Sequence, residues 1–314
     1  MRDSGRGGLA GPRNGRASPA CHAHGLVKVE GLGEFGLLER IRPFLAAQSA
    51  NDDAAVLEDA NGFTVASCDM FVEGVHFDLG WMSAEDAGWR SMALALGDLA
   101  AKGATPSWAL TSIALPRTWE VDDLDGLYRG MHTLAESVSL SIVGGDMSSI
   151  EGPAVLSVTV VGRADSRPLA RSDVQPGWSV AVTGPLGAAA VALRERRALR
   201  LQPLFEEGRR LNAAGLCCGD ISDGLLREMD KFVAFSGAGC VIRTAEVPVA
   251  KAATLEEALT SGEEAELVCV GPEDVLRGAG LRPFGYLTDD SSIQVLGADG
   301  APMQLDATGY DHFA

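Results

Sequence analysis

The chain is short of positive charge: 26 lysines and arginines stand against 43 aspartates and glutamates, a formal net charge of −17 over 314 residues. That imbalance excludes broad attraction to nucleic acid or to an anionic membrane surface, and it means that an anionic substrate must be held with the help of cations. No uninterrupted apolar run reaches membrane-spanning length; the nearest, WSVAVTGPLGAAAVAL, is cut by Ser, Thr, Gly and Pro. The six cysteines are scattered without a C-x-x-C, and Cys217 and Cys218 are adjacent, so neither a zinc knuckle nor a disulfide framework is indicated and a reducing cytoplasm fits best. A Walker A loop, G-x-x-x-x-G-K-[ST], is absent. The first 30 residues are Gly- and Arg-rich, lack the apolar core of a signal peptide, and read as a disordered extension.

What is present is enough for two ordinary globular domains, since 46% of the residues are hydrophobic. GLGEFG at 31–36 satisfies the dinucleotide fingerprint in form only, because no buried strand precedes it. The residues after it place Phe35, Leu38, Ile41 and Leu45 at helical spacing, which predicts an amphipathic helix packed on the core. FTVASCDMFVEGVHF reads as strand then loop, and AEDAGWRSMALALGDLAAKGA as a long Ala-rich helix closed by Gly103. WALTSIALP and AVLSVTVVGRA read as strands around a helix near DGLYRGMHTLAESV. Prolines, charges and turn residues at 165–177 mark the domain boundary, which gives 1–30 as extension, 31–164 as first domain and 165–314 as second. Beyond it come a buried strand WSVAVTG, helices over LGAAAVALRERRALRL and GLLREMDKFVAF, and strands near GCVIR and AELVCV. The fold class is therefore mixed α/β.

Aspartates recur in small-residue settings: Asp52 and Asp53 in NDDAAVL, Asp69 in SCDMF, Asp98 in LGDLAA, Asp146 in GGDMSS, Asp220 and Asp223 in GDISDG. A carboxylate in such a context is costly to bury without a partner, and with few basic residues available a hard cation such as Mg2+ is the natural one. Each has a plainer reading as well. Asp98 pairs with Lys102 at i,i+4 on a helix surface, Ser222 or Asp223 caps the helix starting near Gly224, Asp146 sits in a turn after two glycines, Asp52 is a solvated loop acid, and His76 is a hydrogen-bonded histidine.

The order and wording of GEFGLL, DDAAVL, CDMFVEGVHF, GDLAAKGATPSW, VGGDMSS, ARSDVQPGWSVAVTGPLG, DISDGLL, SGEEAEL and GYDHF resemble the thiamine-monophosphate kinase family of the aminoimidazole-ribonucleotide synthetase-like superfamily, from Gly33 to the C-terminus. The resemblance implies a two-domain fold, with an N-terminal domain that forms a dimeric sheet or barrel and a C-terminal α/β domain. It also implies a homodimeric, cytoplasmic enzyme that transfers the γ-phosphoryl group of ATP in line to thiamine monophosphate without a covalent intermediate. Carried over by motif, Asp53, Ser67, Asp69, Asp98, Asp146, Asp220 and Asp223 would ligate several Mg2+ ions. Gly145, Asp146, Arg171 and Ser222 would bind ATP; His76, Glu263 and Tyr310 would face thiamine monophosphate.

The chain departs from the family pattern at Asn51, Cys68, Met147 and Ala265, and the stretch before CCGDISDG is shortened. A thiol at 68 is a poor Mg2+ ligand, and Ala265 lacks an aromatic ring. These changes keep two further readings open: a related ATP-dependent enzyme on another small substrate, and a non-catalytic protein that binds nucleotide or thiamine phosphates.

Overall fold

The computed structural model describes residues 28–45, 52–305 and 309–313; the extension before Lys28, and Asn51, lie outside the described residues. The elements run α1 (Gly33–Ile41), β1 (Ala55–Asp59), β2 (Gly62–Val72), α2 (Ala84–Ala101), β3 (Thr105–Pro116), α3 (Val121–Ser137), β4 (Ser141–Ile150), β5 (Val155–Ala164), β6 (Ser179–Val182), α4 (Ala188–Arg194), α5 (Phe205–Ala213), β7 (Cys217–Ile221), α6 (Leu225–Ser236), β8 (Gly239–Arg243), α7 (Leu255–Thr260), β9 (Glu264–Gly271), α8 (Glu273–Gly278), β10 (Gly285–Thr288) and β11 (Ile293–Leu296). Among the described residues no helix is long and apolar enough to cross a membrane.

Two sheets form. The first has the order β1-β2-β5-β3-β4, antiparallel except for the parallel pair β3-β4, which α3 connects; the second has the order β11-β8-β10-β6-β9-β7. The Pro-rich stretch 165–177 lies between the last strand of one sheet and the first of the other. Each sheet has its own apolar core, around Met92, Leu96 and Leu127 in the first and around Val180, Phe232 and Phe284 in the second.

α2 is the central element. Its N-cap Ser83 accepts from the Asp86 amide at 3.1 Å, and Gly103 at φ +61° turns the chain out of it. Its glycine- and alanine-rich surface lets neighbours approach to backbone contact: a Cβ on Gly88 would overlap the Leu127 carbonyl of α3, and one on Gly208 of α5 would overlap the Ala100 carbonyl. With Met92, Leu96 and Leu99 fully buried, α2 spans both halves of the molecule, touching the first sheet, α3, α5 and β7.

Three expectations change. The helix from Gly33 does not pack on the core: Leu38, Ile41 and Leu45 are exposed, no residue of α1 is buried, and the helix instead walls a cavity. The helix predicted over 186–201 stops at Arg194, where the chain turns through Arg196 at φ +48°. GGD at 144–146 is not a turn but part of β4, held parallel to β3 next to a bulge at Ala109/Leu110.

Candidate active site

Alternation along β2 sends Val65, Ser67, Asp69 and Phe71 toward α2, and Cys68 and Met70 to the opposite face. There the Cys68 thiol meets the Ser157 hydroxyl at 3.3 Å and accepts from Thr159 at 3.2 Å, so its softness does not bear on a metal ligated from the α2 side. Ser67 donates to Asp98 of α2. Next to Gly97 of the same helix lies Asp220 of β7, and the loop before β1 adds Asp52 and Asp53.

In this way one carboxylate oxygen each from Asp53, Asp98 and Asp220 comes within 4.8 Å of the others, although the three lie on separate elements. Asp69 and Asp223 line the same cavity, which has a volume of about 850 Å³, together with Arg171, Ser222, His76, Glu263 and Tyr310. Thus five of the six aspartates predicted as metal ligands share one cavity, and Ser67 touches it through Asp98.

Gly145 and Asp146 are not brought there. Asp146 is in register with Ser112, Ser157 and Met70, three strands from β2 and on the sheet face opposite Asp69. Gly145 has a local reason to be glycine: a Cβ there would strike the Thr111 backbone of the neighbouring strand.

The plainer readings of two acids also fall. Lys102 does not pair with Asp98 on a surface; it is 0% exposed, forms an ion pair with Asp52, reaches Asp53 at 3.4 Å and donates to the Cys218 carbonyl at 3.1 Å. Neither Ser222 nor Asp223 caps α6, whose N-cap is Gly224 at φ +107° without a side-chain bond. Asp223 instead pairs with Lys231 at 3.0 Å.

The electrostatics follow from burial. Desolvation first, then the charges of Asp220, Asp69 and Asp53, push the Asp98 carboxyl well above the usual carboxylate range. Asp220 is raised likewise, by burial, then Asp53 and Glu228. Asp69 is pushed up to about 6, by burial and then by Asp53. Asp53 goes the other way, because Arg171 and Lys102 together outweigh its burial. Arg171 is only 3% exposed and is paired with Asp53 and with Glu228, the latter at 2.6 Å. Lys231 closes the network, 2.6 Å from Glu228. Lys102, Arg171 and Lys231 thus face Asp52, Asp53, Asp69, Asp98, Asp220, Asp223 and Glu228, which leaves the cluster short of positive charge.

At the other end of the cavity His76 stacks on His312, centroids 5.1 Å apart, and Tyr310 meets His312 edge-on at 4.8 Å. Burial lowers His76 to about 4, with the neighbouring His312 second, so this imidazole is neutral at neutral pH. Its Nδ1 accepts from the Val72 amide at 3.1 Å. Glu263, a non-glycine residue at φ +58°, pairs through one oxygen with Arg90; its other oxygen is buried without a partner. Sequence reasoning missed Arg90, Glu228, Lys231 and His312, and gave Lys102 the wrong partner. For Lys231 the i,i+3 spacing from Glu228 was the available signal; His312 stands inside the GYDHF motif; for Arg90 and Lys102 nothing local distinguishes a buried cation from a surface one.

The family model for the AIR synthase related protein, N-terminal domain, matches residues 51–164. Thiamine-monophosphate kinase of Rhodopirellula baltica is 32% identical over 249 residues, 73% of this chain and 77% of that protein. The Bacillus subtilis thiamine-monophosphate kinase is 29% identical over 324 residues, 90% of this chain and 100% of its own length. Among solved structures, AaThiL complexed with AMPPCP and TMP superposes with a TM-score of 0.81 at 26% identity, covering 91% of this chain and 99% of that one. With its acidic cavity, its fold and these relatives taken together, the chain belongs to the thiamine-monophosphate kinase family.

Proposed function

We propose that this chain transfers the γ-phosphoryl group of ATP to the phosphate of thiamine monophosphate, giving thiamine diphosphate and ADP. The observation that carries the reading is the convergence of Asp53, Asp98 and Asp220 at a cavity large enough for both substrates and deficient in cations. An acceptor phosphate oxygen forms the new bond to the γ-phosphorus as the bond to the β,γ-bridging oxygen breaks. No protein nucleophile is needed, and the demand on the site is positioning and neutralisation of two polyanions.

The residues fit Mg2+. Asp53 Oδ2 is buried without a hydrogen-bond partner, and burial, then the neighbouring carboxylates, raise the Asp98 and Asp220 carboxyls well above the usual range, a cost that a bound cation would offset. Asp53, Asp69, Asp98, Asp220 and Asp223 would hold the ions, with Ser67 as a further oxygen donor. When bound, they supply charge neutralisation for the phosphates. Arg171, from the turn before β6, and Ser222, just after β7, bind the nucleotide phosphates. His76, Tyr310 and the free oxygen of Glu263 receive the heterocyclic part of thiamine monophosphate; the neutral imidazole adds no charge against a cationic ring.

We further propose that residues 31–164 and 165–314 act as the two domains and that the enzyme is a homodimer. In support, among the described residues Met70 and Leu110 stand exposed on the face of the first sheet opposite α2, and β4 is an open edge of that sheet. Asp146 lies on that face, so its nucleotide role is exercised in a partner's site rather than its own. Chromatography of thiamine phosphates after incubation with ATP, Mg2+ and thiamine monophosphate tests the main reading. Diphosphate from wild type and none from Asp223→Ala is expected; folded wild type that yields no diphosphate defeats it.

A further inference from the structure

Three segments distant in sequence meet at Arg227 of α6. Its guanidinium lies 2.9 Å from Asp311 Oδ2 and 3.5 Å from Glu34 Oε2, and its Cζ sits 4.3 Å over the Phe35 ring. Asp311 accepts in turn from the Glu34 amide at 3.4 Å, and the Tyr310 amide donates to the Asp223 carbonyl at 3.0 Å. Gly309, at φ +146°, has no room for a side chain, since a Cβ would come 2.7 Å from the Arg227 Cβ. The start of α1 and the hook 309–313 are thereby fastened to α6 one turn beyond Asp223.

Arg227 does not itself line the cavity, but Glu34, Phe35, Tyr310 and His312 do. The exposed apolar residues of α1 give that helix little packing of its own, so its place over the cavity depends on this contact. The hook is likewise short and carries His312, which stacks on His76, and Tyr310, which meets His312 edge-on.

We infer that Arg227 is a positioning residue for the heterocyclic substrate, latching α1 and the C-terminal hook over that end of the cavity. The inference rests on the kinase reading for the identity of the substrate. It separates the two ligands: the rings held by Arg227 are at the His76 end, whereas the nucleotide phosphates belong with the acidic cluster. Loss of the latch therefore weakens one substrate and spares the other.

Steady-state kinetics of Arg227→Ala, Arg227→Lys and Asp311→Asn provide the test, together with hydrogen exchange of the hook amides. Arg227→Ala is expected to raise the KM for thiamine monophosphate roughly 10- to 100-fold, because small displacements of positioning groups are costly. The KM for ATP should stay within about twofold. Lysine keeps the charge without the flat stacking on Phe35 and should recover part of the loss; Asp311→Asn should reproduce it in a conservative variant. Equal rises in both KM values, or an unchanged KM for thiamine monophosphate in both Arg227→Ala and Asp311→Asn, overturn the inference. The Tyr310 amide should exchange faster in Arg227→Ala than in wild type, and unchanged protection also overturns it. Wild type that makes no diphosphate defeats the kinase reading, while the exchange experiment still decides the latch.

Discussion

Replacing Lys102 with methionine isolates the role of the buried cation network. The methionine keeps most of the aliphatic volume and removes only the ammonium, which in the native chain is fully enclosed and bound to Asp52, Asp53 and the Cys218 carbonyl. Burial alone would lower the pKa of this lysine; Asp52 and then Asp53 outweigh it and hold the group charged. Without the ammonium, two buried carboxylates and a carbonyl lose a partner, and breaking a buried pair in this way costs about 3–5 kcal/mol. At roughly 2–4 °C per kcal/mol for a chain of this size, the melting midpoint should fall by about 6–20 °C in chelator. Calorimetry in chelator and again in saturating Mg2+ reads both parts of the argument. Because Asp53 belongs to the carboxylate cluster, Mg2+ should restore more stability to the variant than it adds to wild type. A midpoint within a degree or two of wild type in chelator would refute the claim that Lys102 holds the carboxylates together.

Further outcomes follow from other parts of the fold. Gly88→Ala should gain about 1 kcal/mol if helix propensity decided, but a Cβ there overlaps the Leu127 carbonyl, so a net loss of about 1–3 kcal/mol is expected in a thermal melt and a gain contradicts the close α2–α3 crossing. Asp69 titrates in the folded chain at about 6 against an ordinary value of about 3.9, so its contribution to the stability of the metal-free protein is full below the lower value and is lost as pH rises through the upper one. Mg2+ needs the ionised carboxylate, and the rise in melting temperature on adding it should therefore be larger at pH 7.5 than at pH 5.5; an increment independent of pH would count against ligation by Asp69. Finally, Asp146→Asn and Asp223→Ala should each be inactive alone yet regain turnover when their subunits are mixed, and no recovery after verified exchange would remove the shared-site dimer.

How much of this was legible beforehand depended on whether a residue's partner was local. The helix around Asp98 and the strand around Asp69 could be read from periodicity and β-branched runs, because those signals lie within one element. That Asp53, Asp98 and Asp220 converge was implied by the family resemblance but could not be read from spacing, since a loop, a helix and a strand of the other sheet supply them. Lys102 was misplaced for the same reason: the i,i+4 rule offered Asp98 on its own helix, while burial turned the side chain toward Asp52. β4 failed differently. Two glycines before an acid imitate a turn, and only the parallel partner β3, reached through the α3 crossover, makes that segment a strand.

α1 shows what an amphipathic pattern alone does not specify. Its apolar residues recur at helical spacing as they would on a core-facing helix, yet among the described residues none of them is fully buried, and the pattern serves a cavity wall instead. A wall helix that lacks core contacts must be fixed by specific groups at its ends, and here Glu34 and Phe35 in its first turn do so through Arg227. The acidic end of the cavity is fixed in the opposite way, by the buried helix α2 and by the Arg171 ion pairs, which tie the loop before β1 to α6. The two ends therefore respond differently to mutation: damage to the Lys102–Asp53–Arg171 network destabilises the whole molecule, whereas damage to the Arg227 latch leaves the folded body intact and is felt in recognition of the heterocycle.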